Sequence, residues 1–268
     1  KVTAVKAGTA TVTAQCGEVS ATCEVTVKAP VIPANVGDYY YSDGTWSTEL
    51  DASKELVGLV FYTGDVTAED PVLAQDHSDC THGLVISLNN TSQIGAAWQV
   101  NFGDGSTSVS DWVSANLNGY APMSDTYNMT GYSNTKALEA YNSAMPENAA
   151  GIISALTAFR EAHQAPAGSS GWYIPSASEW AVISAGDYDG DALTLASAVN
   201  LELINGMLEK IEGADKIEGF DMGIMVLPGT FWSSTEMNAT QGAGFVTSGS
   251  MVPTGKAEIN KIRAILAF

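Results

Sequence analysis

The stretch GWYIPSASEW, Gly171 to Trp180, sets two tryptophans and a tyrosine around a proline and two serines. Ser176 and Glu179 stand at the spacing of a capping box. The Ser176 hydroxyl can accept from the Glu179 amide while the Glu179 carboxylate reaches back to the Ser176 amide. Pro175 fixes the entry of the chain. GWYIP therefore predicts a short strand feeding a capped helix that carries Trp180 in its first turn. Capping accounts for the serines without catalysis. A nucleophilic serine would need a base, and the histidines, His77, His82 and His163, lie outside this stretch. A second aromatic stretch, FWSSTE at 231–236, reads as a strand, and Trp172, Trp180 and Trp232 read as core.

Outward from there, the periodicity changes along the chain. DYYYSDG (38–44), ELVGLVFYTG (55–64), HGLVISL (82–88) and AAWQVNFGDG (96–105) predict strands. The nearly unbroken apolar run Leu56–Tyr62 fits a central strand buried on both faces. Residues 134–144, 150–163 and 193–213 predict helices, the second from the apolar stripe of Ile152, Ile153, Leu156 and Phe159. GTFWSSTE (229–236), GAGFVTSGS (242–250) and NKIRAILAF (260–268) then predict three strands of an antiparallel meander. Arg263 falls inside an apolar strand, where a charge needs a partner, with Glu179 or Glu236 as the candidate carboxylates.

Residues 1–29 carry a different pattern. Val12 and Ala14 alternate with Thr11 and Thr13, and Cys23, Val25 and Val27 with Thr22, Glu24 and Thr26, the period of half-buried strands. A turn at Gly17-Glu18 places Val12 opposite Cys23 and Cys16 opposite Val19, so Cys16 and Cys23 do not face each other. Cys23 reads as a small buried hydrophobe. Pro30 and Pro33 mark a linker over 30–36.

Composition narrows the function classes. The 268 residues are 45% hydrophobic but only 15% charged, and 11 Lys+Arg against 30 Asp+Glu give a net charge of −19. Such a surface repels phosphate, so nucleic acid and anionic membrane are not expected partners. No apolar run reaches the roughly 18 residues of a membrane span. Three cysteines make no complete disulfide framework. The chain opens inside a strand pattern without a signal peptide, as a mature or trimmed fragment would. DHSDCTH (76–82) reads as a polar loop in preference to a zinc site, lacking a fourth ligand. DYDGD (187–191) reads as a solvated turn, lacking the downstream glutamate of a calcium loop. No catalytic residue, metal or cofactor is expected.

KVTAVKAGTATVTA followed by ATCEVTV resembles the end of a bacterial immunoglobulin-like group 2 domain, a stalk module of surface proteins. GWYIPSASEW, FWSSTE and IRAILAF in that order resemble the C-terminal domain family of collagen-like bacterial adhesins. That family is similar in fold to C-type lectins and to the formylglycine-generating sulfatase-modifying enzymes. GDYYYSDGTWSTELD looks like the paralogous surface domains of Bacteroidetes. The resemblance implies an α+β, C-type-lectin-like domain over 37–268, with an antiparallel sheet and flanking helices, preceded by a hairpin remnant at 1–29. It implies a non-enzymatic, extracellular or cell-surface binding module that captures a glycan or protein ligand. The catalytic cysteines of the sulfatase-modifying enzymes have no counterpart after Cys80. The triplets with which C-type lectins bind sugar through calcium are absent, PEN at 146–148 being a scrambled version. An enzyme of the sulfatase-modifying type, a variable-loop display protein and a structural pilus-like subunit stand as alternatives.

In such folds ligand loops sit at the end of the sheet marked here by STEMNATQG, 234–242. Glu236, Asn238, Thr240 and Gln241 offer carboxylate, amide and hydroxyl groups that bond sugar hydroxyls in pairs. Tyr41 and Trp46 are candidates to stack on a sugar face, and the FGDGSTS loop after Phe102 is the second choice of location.

Overall fold

The computed structural model describes residues 3, 5, 8–27, 33–103, 105–221, 226–227 and 229–268. It divides into two compact units, Lys1–Pro33 and Ala34–Phe268. The expected linker lies outside the described residues from 30 to 32.

In the first unit β1 (Gly8–Cys16) and β2 (Val19–Val27) form an antiparallel hairpin with Val12 opposite Cys23 and Cys16 opposite Val19, the register read from the sequence. β1 is exposed throughout and β2 everywhere except Val25 and Val27, which are half-buried. Cys23 is therefore exposed, not buried as expected. The alternation is that of a strand with one face to cover, but among the described residues no second layer covers it.

The second unit runs β3 (Tyr39–Tyr41), β4 (Trp46–Ser47), β5 (Leu56–Thr63), α1 (Pro71–Asp76), β6 (Gly83–Asn90), β7 (Ala96–Ala97), α2 (Val109–Asn116), α3 (Gly131–Ala144), α4 (Gly151–Ala162), α5 (Ala177–Ala185) and α6 (Val199–Leu208). It continues with β8 (Phe220–Asp221), β9 (Val226–Leu227), β10 (Thr230–Asn238), β11 (Gln241–Val246), β12 (Ser250–Gly255), β13 (Ile259–Asn260) and β14 (Arg263–Ala267). This is a mixed α+β fold, and every strand pair among the described residues is antiparallel.

The central sheet has the order β14-β6-β5-β3-β4. Its strands alternate between two cores. Leu59, Phe61, Leu84, Ile86 and Ile265 pack on one face with Trp180, Ile183, Phe231 and Phe245. Val60, Val85, Ala264 and Leu266 pack on the other with Leu138, Ile152, Leu156 and Trp98. A sheet covered on both faces needs apolar residues at successive positions, hence the unbroken run in β5. Gly58 interrupts that run because a Cβ there would stand 2.4 Å from the Ile86 carbonyl oxygen.

The two aromatic stretches that opened the sequence are neighbours. Ser234 N donates to the Pro175 carbonyl at 2.8 Å, Ala177 N to Thr235 Oγ1 at 2.9 Å, and Trp180 Nε1 to the Trp232 carbonyl at 3.2 Å. Trp172 and Trp232 also find carbonyls, on His163 and Ala96. All three tryptophans are buried, each with its single polar atom satisfied. The capping box forms as its spacing predicts, at 3.2 Å from Glu179 N to Ser176 Oγ and 2.6 Å from Ser176 N to Glu179 Oε2.

Four expectations are corrected. The meander is β10-β11-β12, whereas β14 leaves it to pair with β6, because its five residues are buried and fill the edge of the central sheet. The strand over 96–105 stops at Ala97: Trp98 turns into the core to donate to the Ser233 carbonyl, and Gln99 is held by Asn148. The helix over 193–213 is a 3-10 turn at 192–194 and then α6, since Ser197 between them is bound by Gly249 and Ser184. Among the described residues Arg263 has no carboxylate partner in an ion pair. Its guanidinium donates to the carbonyls of Ser87, Leu88 and Asp215 at 2.8–2.9 Å and to Asn90 Oδ1 at 3.1 Å. The fork geometry of arginine matches such divergent acceptors without a counter-charge. Burial pulls its pKa down to about 9, opposed by the charge of Asp215.

Candidate functional site

The hairpin joining β10 to β11 is tighter than the sequence suggests. β10 runs through Asn238, which pairs with Gln241, leaving only Ala239 and Thr240 in the turn. Asn238 organises that turn. Its Oδ1 accepts from Thr240 N, Thr240 Oγ1 and Gln241 N at 3.0–3.1 Å, and its Nδ2 donates to Gln241 Oε1 at 2.9 Å. Asn238 and Thr240 are exposed and Gln241 is half-buried, so these three remain at the surface of the tip.

Glu236 does not join them. It is 1% exposed, and its carboxylate accepts from the amides of Val109 at 2.9 Å and Ser110 at 2.6 Å, the first turn of α2. It also forms an ion pair with Lys256, which is wholly buried. Buried, and held by two donors of a helix N-terminus and one ammonium, it is not at the surface of the tip. Lys256 Nζ further donates to Gln99 Oε1 at 3.1 Å and lies 4.6 Å from the Trp98 ring centre. Burial lowers its pKa, and Glu236 opposes that shift. Strand residue 236 thus faces inward where a loop residue would have faced out.

Tyr41 is corrected in the same way. It is 1% exposed, and its hydroxyl lies 2.9 Å from Ser47 Oγ and accepts from Asp51 N at 2.8 Å, closing the turn after β4. Trp46 is half-buried among Tyr40, His82 and Phe268, with ring centres 5.1–6.5 Å away. These rings come from β3, β4, the residue before β6 and the residue after β14.

The loop after Phe102 is adjacent to the hairpin tip: a Cβ at Gly105 would come within 3.2 Å of Thr240 Cγ2. Beside it a cleft of about 260 Å³ is lined by Phe102, Thr107, Ser108, Trp112, Tyr141 and Met145. Trp112 and Tyr141 meet edge to face at 5.3 Å. Ser108 caps α2 and completes a capping box with Asp111, so α2 is anchored at its start both by its own cap and by Glu236. The site combines a rigid aromatic wall with a rim of hydroxyls and amides. Aromatic faces suit the apolar side of a sugar ring or an aromatic side chain, and the rim can orient hydroxyls. Trp112 and Tyr141 were not foreseen. The signal was available in Ser108-x-x-Asp111, a second capping box that marks the start of α2. Two larger clefts, about 320 and 370 Å³, share His163, Gln164, Ala165 and Trp172.

In the loop at 76–82, Cys80 is buried and donates to the Gly168 carbonyl at 3.4 Å, and burial pushes its thiol up to about 11. His77 packs on Tyr132 and His82 on Phe268.

No family model matches the chain. Among curated proteins, it is 27% identical over 230 residues to "Putative fimbrium tip subunit Fim1C" of Bacteroides ovatus, an alignment covering 76% of this chain and 39% of that protein. Among solved structures, a fimbrial protein from the same species superposes with a TM-score of 0.65 at 19% identity, over 98% of this chain and 58% of the other. The second likeness is one of fold. The chain spans about two-fifths of the length of the curated relative it matches.

Proposed function

We propose that the chain is part of a non-enzymatic, cell-surface fimbrial subunit of the tip type. The observation that carries this is the 27% identity over 230 residues to a protein named as a fimbrium tip subunit. Of the readings left by the sequence, the pilus-like subunit is the one both relatives favour, and neither bears the name of an enzyme. A tip position suits a module that meets ligands first. In this reading the cleft of Phe102, Trp112 and Tyr141, flanked by Asn238, Thr240 and Gln241, captures an extracellular glycan or protein. The lectin-like topology and the immunoglobulin-like origin of residues 1–29 belong to the same reading. They are supported by the order GWYIPSASEW, FWSSTE, IRAILAF and by the threonine-valine alternation of β1 and β2.

Immunogold labelling of the producing bacterium with antibody to this chain tests the assignment. Gold at the free ends of surface filaments is the expected result. Gold spaced along the shafts, or label confined to the cell interior, overturns it.

A further inference from the structure

A second cleft lies on a different part of the molecule, where β5, the segment before α3 and the two ends of α5 meet. It holds about 240 Å³. Three phenol rings line it, those of Tyr62, Tyr127 and Tyr188, together with three carboxylates, those of Glu69, Asp187 and Asp189. Among the described residues no lysine or arginine lines it. Asp187 and Asp189 come from the DYDGD turn and are exposed. Among the described residues neither has an ion-pair or hydrogen-bond partner. Glu69 uses one oxygen to accept from Met129 N at 2.8 Å and leaves the other available. Burial, and then the charges of Glu69, Asp187 and Asp65, raise the Tyr62 phenol above its ordinary pKa.

Ser178, on the first turn of α5, also lines the cleft. It is 4% exposed, and its hydroxyl has no hydrogen-bond partner among the described residues. A buried hydroxyl left unpaired costs about 1–3 kcal/mol. A metal ion is the wrong occupant: among the described residues no three carboxylates, histidines or cysteines converge closely enough to hold one. Aromatic rings interleaved with carboxylates instead favour an organic cation, held by ring faces and charge together. The volume is below the roughly 300–1,000 Å³ of pockets for drug-sized molecules and suits one extended side chain.

We propose that the Tyr62–Tyr127–Tyr188 cleft binds an aliphatic ammonium or guanidinium group, with the carboxylates of Glu69, Asp187 and Asp189 supplying the charge. That chemistry arrives as a lysine or arginine side chain on a protein partner or as a free polyamine.

The test is titration of the intact chain, by calorimetry or NMR, with N-acetyl-lysine methylamide, N-acetyl-arginine methylamide, spermidine and, as the neutral control, N-acetyl-glutamine methylamide. The cationic probes are expected to bind and to shift resonances of Tyr62, Tyr127 and Ser178, while the glutamine probe does not. The double variant Asp187→Asn/Asp189→Asn changes only exposed side chains and should weaken cationic binding by about tenfold or more, with Tyr127→Ala acting in the same direction. Tighter binding of the amino-acid probes than of spermidine assigns the site to protein side chains, and the reverse order assigns it to free polyamines. Equal binding by the double variant would attribute the effect to the net charge of −19 and overturn the proposal, as would a glutamine probe that binds as well as lysine.

Discussion

Glu236 and Lys256 form an ion pair in which the side chains are 1% and 0% exposed. The pair ties β10 to the end of β12, and through the Val109 and Ser110 amides it also fixes the start of α2. Removing one member of a buried pair strands the other charge. Lys256→Met should therefore destabilise the fold by about 3–5 kcal/mol, whereas Lys256→Met combined with Glu236→Gln should recover part of the loss. Urea unfolding of the two variants measures this, and equal losses would show that the pair is not coupled.

Glu179 gives a pH dependence. Burial pushes its pKa up to about 8 from an ordinary 4.5, against hydrogen bonds from Ser176 N and the Tyr173 hydroxyl. Between those values the folded protein holds a proton that the unfolded chain has released. The contribution is complete below pH 4.5 and is lost as pH rises through 8. Thermal melts should show lower stability at pH 8.5 than at pH 5.5, by an amount on the order of a few kcal/mol. Glu179→Gln, neutral throughout, should flatten that part of the profile.

Arg263 is held by four neutral oxygens, which lysine cannot reach together with one ammonium. Arg263→Lys should cost about 3 kcal/mol in spite of keeping the charge. A variant as stable as the parent in denaturant would mean that water replaces the lost donors.

At the candidate cleft, Trp112→Ala opens the aromatic wall and Asn238→Ala/Thr240→Ala/Gln241→Ala strips the hairpin rim. Once a glycan or protein ligand has been found by array, the first should weaken it by about tenfold or more, since aromatic anchors dominate such sites. The rim variant should act less strongly. Unchanged affinity in both would move the site away from this end of the molecule.

The elements that carry the fold were legible where local chemistry settles them. The register of β1 and β2 follows from Gly17-Glu18, and the start of α5 from Ser176 and Glu179. β5 and β6 show as apolar runs because both faces of the sheet are covered. What was not legible depended on distant partners. Glu236 reads as a polar loop residue until Lys256 and the α2 amides are brought to it, and Arg263 reads as half of a salt bridge until three carbonyls surround it. Ser197 breaks a helical pattern because Gly249 and Ser184 bind it. The candidate cleft shared this difficulty: Trp112 and Tyr141 belong to different helices, and no spacing relates them.

The placement of β14 has a kinetic meaning. Leu266 pairs with Val85 and Ile265 with Ile86, so the central sheet is completed by residues far apart along the chain. High contact order slows folding, and β6 has no neighbour on that side until residues 263–267 have been synthesised. A nascent chain of this kind stays open through most of its translation. It also leaves the apolar edge of β6, Leu84–Ile86, exposed to other chains in the interval, a site at which aggregation competes with folding.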